Sequence, residues 1–89
     1  MTTTTRAAIR IVDGKPYLVA VDGAALRALR EQRGHSLDAI GLVCSCSREN
    51  VRQWESEGTI PSGARIEALQ AHYGDAVQKS GALVLRPAF

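Results

Sequence analysis

The spacing of apolar residues changes near Gly23, which divides the chain into two patterns. Before it, two short β-rich runs flank the dipeptide Asp13-Gly14. An Asp-Gly between such runs predicts a β-hairpin, here over residues 6–22. We expect Lys15 and Pro16 to lengthen the connection beyond two residues, with Pro16 opening the second strand because proline cannot donate to a ladder.

From residue 23 to 74 the apolar residues recur at helical spacing, which predicts four short helices. Gly34, Gly58 and Gly74 are suitable stops, and Ser36 and Ser47 are suitable N-caps. The inward residues of the four helices are, in chain order, Ala25, Leu26 and Leu29; Leu37, Ile40 and Cys44; Val51 and Trp54; and Ile66, Leu69 and Tyr73.

The two ends of the chain carry weaker signals. Residues 1–5 are polar and threonine-rich, so we expect a disordered tail. Residues 75–89 allow one more helical turn and then a β-like run, which Pro87 stops and which could pair with the hairpin or support a dimer. The predicted fold is therefore mainly α with flanking β: four to five short helices, an N-terminal β-hairpin and a C-terminal strand.

Composition limits the kind of protein this chain can be. Its 89 residues allow one hydrophobic core, and 45% hydrophobic with 22% charged residues is ordinary for a globular domain. No apolar run is long enough for a membrane span and the start lacks a secretory signal, so we expect a soluble, cytoplasmic protein without a membrane partner. Residues 23–73 contain six arginines against six acidic residues, although the whole chain carries a net charge of +2. Any nucleic-acid site must therefore depend on a few well-placed arginines, and affinity per chain should be modest.

The stretch from Ser36 to Glu55 has the outline of a helix, a short turn and a second helix, the arrangement that projects one helix into the major groove of DNA. The string SLDAIGLVCSCSRENVRQWESEGTIPS resembles the Cro and lambda-repressor (XRE-type) family of helix-turn-helix domains, and the resemblance extends from about Leu26 to Gly74. It implies a DNA-binding domain over residues 23–74. It also implies a structural ion pair between Arg30 and Glu55, and a small residue, Gly41, where the two motif helices touch.

The resemblance assigns base-reading contacts to the third helix, and the backbone N–H groups at helix starts suit phosphate contacts. Base-reading residues would be Arg48, Glu49, Arg52 and Gln53, since arginine can bind guanine, glutamine adenine and glutamate cytosine. The alternative for this set is a solvated helix face. Phosphate contacts would come from Ser36, Ser47, Asn50, Thr59, Ser62 and Arg65, although plain helix capping explains the serines equally well.

Three features depart from the family pattern. Ser45 stands where the turn usually has glycine, so it must accept a left-handed backbone at some cost or use another turn. Gly58 is displaced by one position after the recognition helix. Leu42 and Val43 replace residues that are usually charged and exposed, and we expect the β segments or a second chain to cover them.

These observations lead to one preferred function and two alternatives. The preferred function is a sequence-specific transcriptional regulator, in particular a repressor, that binds an inverted-repeat operator in double-stranded DNA as a homodimer. One alternative is a protein-interaction module that resembles a helix-turn-helix antitoxin. The other is a thiol or metal sensor built on Cys44 and Cys46 with His35, for which the spacing is poor. No enzyme motif is present, and we expect neither catalytic activity nor a cofactor or bound metal.

Overall fold

The computed structural model of the protein describes residues 7–88. The predicted tail at residues 1–5 lies outside this range. Eight elements follow one another: β1 (Ala7–Val12), β2 (Lys15–Val21), α1 (Gly23–Gln32), α2 (Leu37–Cys44), α3 (Arg48–Ser56), α4 (Gly63–Tyr73), α5 (Ala76–Lys79) and β3 (Leu83–Pro87). The predicted fold class, mainly helical with an N-terminal hairpin and a C-terminal strand, is confirmed.

The three strands form one antiparallel sheet in the order β1-β2-β3. The prediction that Lys15 and Pro16 lengthen the hairpin turn is wrong: the turn has two residues, Asp13 and Gly14, both with positive φ, and Lys15 already pairs with Val12. Pro16 is tolerated as the second residue of the central strand because the β2–β3 pairing only begins beyond it, at Tyr17. The carbonyl of Pro16 accepts a hydrogen bond from the backbone of Ala88.

Short side chains begin the first three helices. The carboxylate of Asp22 accepts a hydrogen bond from the Ala25 amide at 3.1 Å, and the hydroxyls of Ser36 and Ser47 each accept one at the starts of α2 and α3. Each contact satisfies one of the amides that a helix start leaves unpaired. The helix boundaries therefore follow from local residues, and only the Asp22 cap lies outside the sequence prediction.

The helices and one face of the sheet enclose a single core. The fully buried large side chains include Leu26, Ile40, Val51, Trp54, Ile66, Leu69 and Leu83. The sheet joins this core through Val12 and Val19, both buried. Its opposite face is apolar but exposed, with Ile9 and Ile11 more than half accessible. Among the described residues no helix is long and apolar enough to cross a bilayer.

Candidate nucleic-acid interface

Helix α3 has one buried side and one solvent-facing side. Val51 and Trp54 are buried in the core, which fixes the rotation of the helix. Because side chains are spaced about 100° apart around a helix, Arg48, Glu49, Arg52 and Gln53 then lie on the side away from Val51 and Trp54. The four residues predicted to read bases therefore share one accessible face.

A close contact between helices α2 and α3 determines how far the accessible face of α3 projects beyond α2. A Cβ atom at Gly41 would lie 2.7 Å from the backbone oxygen of Cys46 and 3.4 Å from the amide of Arg48. Only glycine therefore permits this approach without a backbone shift. Ser45, which precedes the turn into α3, adopts the left-handed conformation with φ 56°. The chain thus keeps the turn that glycine usually provides and accepts the associated strain.

Arg30 and Glu55 join helix α1 to the end of α3. Arg30 donates from Nε to Glu55 Oε2 at 2.7 Å and from Nη2 to Oε1 at 3.0 Å, a bidentate arrangement. Their side chains are 12% and 4% exposed, and Nη1 of Arg30 also donates to the carbonyl of His35. The hydrogen bond to Glu55 is the main cause of the raised pKa of Arg30. The pair locks α3 against α1 in a mostly dry environment.

The outward arginines of α3 are not free of partners. Arg52 forms ion pairs with Glu49, one turn earlier, and with Glu57 just beyond the helix end. Arg48 is 3.9 Å from Asp38 of α2, and its side chain is 65% exposed. The sequence analysis did not identify Asp38 and Glu57 as partners, although both stand within reach of a predicted reading residue. The face is therefore a network of opposite charges rather than a positive patch.

The residues predicted to contact phosphates occupy different local settings. Ser36 and Ser47 cap helices, as described above, while Ser62 occupies the N-cap position of α4 without a side-chain cap bond. The amide of Thr59 donates to the carbonyl of Gln53, which closes the end of α3. Asn50 is half-buried on α3 and Arg65 half-buried on α4. The starts of α2 and α3 lie near each other, since Asp38 of α2 is 3.9 Å from Arg48 of α3. On α4, the backbone carbonyl of Arg65 faces the thiol of Cys44.

The loop between α3 and α4 is held by a residue that the sequence analysis missed. Arg10 of β1 donates from Nε to the carbonyl of Pro61 at 3.0 Å, and Nη2 lies 3.5 Å from the carbonyl of Ile60. These groups are about 50 positions apart in the sequence, so no local pattern could have connected them. The hairpin therefore supports the loop that carries Thr59 and Ser62.

The prediction that the β segments cover Leu42 and Val43 is wrong, whereas cover by a second chain stays a prediction. Leu42 is 84% exposed and Val43 36% exposed on the outer side of α2. The sheet lies elsewhere in the molecule, because β1 packs against α4 and β3 against α5.

The two cysteines do not form a disulfide, and they differ in environment. Cys44 is buried and Cys46 half-buried. Burial raises the pKa of the Cys44 thiol from 9.0 to about 11. Among residues 7–88 no three His, Cys, Asp or Glu side chains are grouped so that they could hold a metal ion. His35 instead lies against His72, with ring nitrogens 3.3 Å apart.

The Cys44 pKa leads to a prediction for stability in alkali. The thiol ionises near 9.0 in the unfolded chain but near 11 in the folded protein, so its contribution is complete below pH 9 and is lost as the pH rises toward 11. We expect the free energy of unfolding to fall by about 2 kcal/mol more in the native protein than in Cys44→Ala over this interval. Urea denaturation of both proteins at several pH values measures it, and parallel curves would contradict it.

Comparison with known proteins supports the helical part of this description. A family model described as a helix-turn-helix domain matches residues 23–75, which is more than half of the chain. No curated protein and no solved structure gave a match. The matched range contains α1 to α4 and ends before α5, so the sheet strands lie outside it.

Proposed function

The chain belongs to the helix-turn-helix domain family, which suggests a DNA-binding regulator, and we propose that it is a sequence-specific transcriptional repressor that reads the major groove with α3. The observation that carries this proposal is the accessible face of α3, where Arg48, Glu49, Arg52 and Gln53 stand together while Val51 and Trp54 hold the opposite side in the core. These four side chains offer donors and acceptors of the kinds that distinguish base pairs in the groove.

The charge distribution supports binding that depends on placement rather than on net charge. Arginines and acidic residues balance over residues 23–73, six against six. Non-specific attraction to phosphates should therefore be weak. The decrease of affinity with salt should reflect only the few phosphate contacts that form. Amides at the starts of α2 and α3, together with Ser62, are the proposed phosphate contacts.

We further propose that two copies bind an inverted-repeat operator, one on each half-site. A single α3 offers only four reading side chains, and two copies spaced by one turn of DNA double the contacts on one face of the duplex. Selection of bound sequences from a random duplex pool tests this directly. A dyad-symmetric consensus is expected, and an asymmetric single site would refute the dimeric mode.

A second candidate function is a protein-interaction module on the same fold, resembling an antitoxin. The specific observation in its favour is Leu42, which is 84% exposed on α2 beside the equally apolar Val43. A stoichiometric protein partner whose capture is lost in Leu42→Asp would support this candidate. Undiminished DNA selection by the same variant would show that the surface is separate from DNA reading.

The effect of removing one arginine provides the quantitative test of the main proposal. We expect Arg48→Ala to weaken binding to the selected duplex by about 1–3 kcal/mol, because Arg48 is the less constrained of the two arginines on the reading face. Arg27→Ala is the matched control: it removes the same charge from an exposed arginine of α1 that pairs with Glu31. A mobility-shift titration of both variants measures the difference, and equal affinities would place the reading surface elsewhere.

A further inference from the structure

The contacts of Arg52 restrict what that side chain can offer to DNA. Its Nε donates to Glu49 Oε1 at 2.7 Å, and its Nη2 donates to the same oxygen and to Glu57 Oε2, the latter at 2.8 Å. Two carboxylates therefore hold one guanidinium from two sides, one within α3 and one from the residue that follows it.

Reading guanine requires two parallel N–H donors directed at O6 and N7. The edge of Arg52 formed by Nε and Nη2 is already directed at carboxylates. To use that edge on a base, Arg52 would have to break its contacts with Glu49 or Glu57. Arg48 differs, because its ion pair with Asp38 spans 3.9 Å and its side chain is 65% exposed.

The same network prepares Glu49 to act as an acceptor. Glu49 stands between Arg52 and Gln53 on the outward side of α3, and only its Oε1 is engaged by Arg52, so Oε2 lies outside these contacts. The hydrogen bond from Arg52 lowers the pKa of Glu49, which keeps the group an ionised acceptor. The positive guanidinium also offsets the repulsion that an isolated carboxylate would meet near DNA phosphates.

We propose that Glu49, oriented by Arg52, accepts a hydrogen bond from the N4 amino group of a cytosine in each half-site, and that Glu57 is a positioning residue that holds Arg52 for this task. This inference rests on the proposed DNA-reading function and assigns a base to one position of the half-site. Arg52 thereby acts through Glu49, and Arg48 remains the arginine that is available for guanine.

The first experiment compares the sequences selected by the native protein and by Glu49→Gln from one random duplex pool. Glutamine binds adenine where glutamate accepts from cytosine, so we expect one position per half-site to change from cytosine to adenine while the other positions persist. In titrations of the two duplexes, we expect the native protein to prefer cytosine by roughly tenfold and Glu49→Gln to lose or reverse that preference.

Two outcomes of the selection are distinguishable. If the native protein selects no consensus, the proposed function itself fails, and this inference fails with it. If the native protein selects a clear consensus that Glu49→Gln reproduces at every position, the function stands and the assignment of cytosine to Glu49 is overturned. Glu49 is exposed, and unchanged thermal unfolding verifies that Glu49→Gln folds.

The role of Glu57 is tested by the ratio of affinities for the cytosine and adenine duplexes. We expect Glu57→Gln to reduce this ratio several-fold, because Arg52 then loses one of its two anchors. A carboxylate that merely repels DNA would change both affinities equally and leave the ratio intact. Glu31→Gln is the matched control, since Glu31 also pairs with an exposed arginine, on α1. An unchanged ratio in Glu57→Gln would overturn the positioning role.

Discussion

Replacing Glu55 with alanine is expected to lower the free energy of unfolding by about 3–5 kcal/mol, because it leaves the charge of Arg30 nearly buried without its partner. The Arg30 side chain is only 12% exposed and directs two of its nitrogens at the two oxygens of Glu55. The remaining contact, from Nη1 to the carbonyl of His35, cannot neutralise the charge. A domain of this size has a total stability of the order of 10 kcal/mol, so the loss should be a large fraction of it.

A matched control separates burial from ion pairing. Arg27 and Glu31 form an i,i+4 pair on α1 with side chains 64% and 56% exposed. Glu31→Ala should cost at most about 1 kcal/mol because water screens that pair. Urea denaturation of both variants supplies the comparison. A loss below 1 kcal/mol in Glu55→Ala would mean that water reaches Arg30 and that the pair does not fix α3 against α1.

Gly63→Ala is expected to destabilise the protein by about 3 kcal/mol, at the upper end of what overpacking costs. A Cβ atom at this position would overlap the backbone carbonyl of Ile11 in β1. No flexible side chain can move aside, so either the start of α4 or the hairpin must shift. Arg10 and the amide of Asp13, which contact the loop before α4 and Glu67 on it, would be displaced by such a shift.

The expected loss of stability is opposite in sign to the usual effect of replacing glycine with alanine in a helix. Alanine in place of glycine normally stabilises an open helix by up to about 1 kcal/mol. Ala64→Gly, at the neighbouring exposed position of α4, is the control and should cost no more than that amount. Urea denaturation measures both. If Gly63→Ala instead raised the stability, the hairpin would not pack closely against α4, and the sheet would contribute little to the packing of the helices.

Much of the fold could be predicted because its signals are local. Ser36 and Ser47 cap helices through bonds that span three residues, and the inward residues of α3 repeat at the spacing of one helix face. Where local signals were misjudged, the reason is physical. Pro16 was expected to open the second strand, but the strand begins one residue earlier, at Lys15. Proline is accepted there because the β2–β3 pairing begins only at Tyr17, so its missing N–H removes no hydrogen bond between these strands.

The candidate site was predictable as a set of residues but not as a set of contacts. Helical spacing places Arg48, Glu49, Arg52 and Gln53 on one face, whatever surrounds it. Whether Arg52 has a second carboxylate partner besides Glu49 depends on where Glu57 lies after the helix end. The exposure of Leu42 likewise depends on where the sheet packs, which no residue of α2 encodes.

By itself, the sequence determined the identity and limits of the helices, the hairpin and the reading face, because caps, turns and periodicity act over a few residues. The tertiary structure alone decided that the carbonyls of Ile60 and Pro61 meet Arg10, that Gly63 adjoins Ile11, and that Asp38 of α2 pairs with Arg48 of α3. Those contacts join residues up to about 50 positions apart, and their geometry exists only once the core has brought the sheet and the helices together.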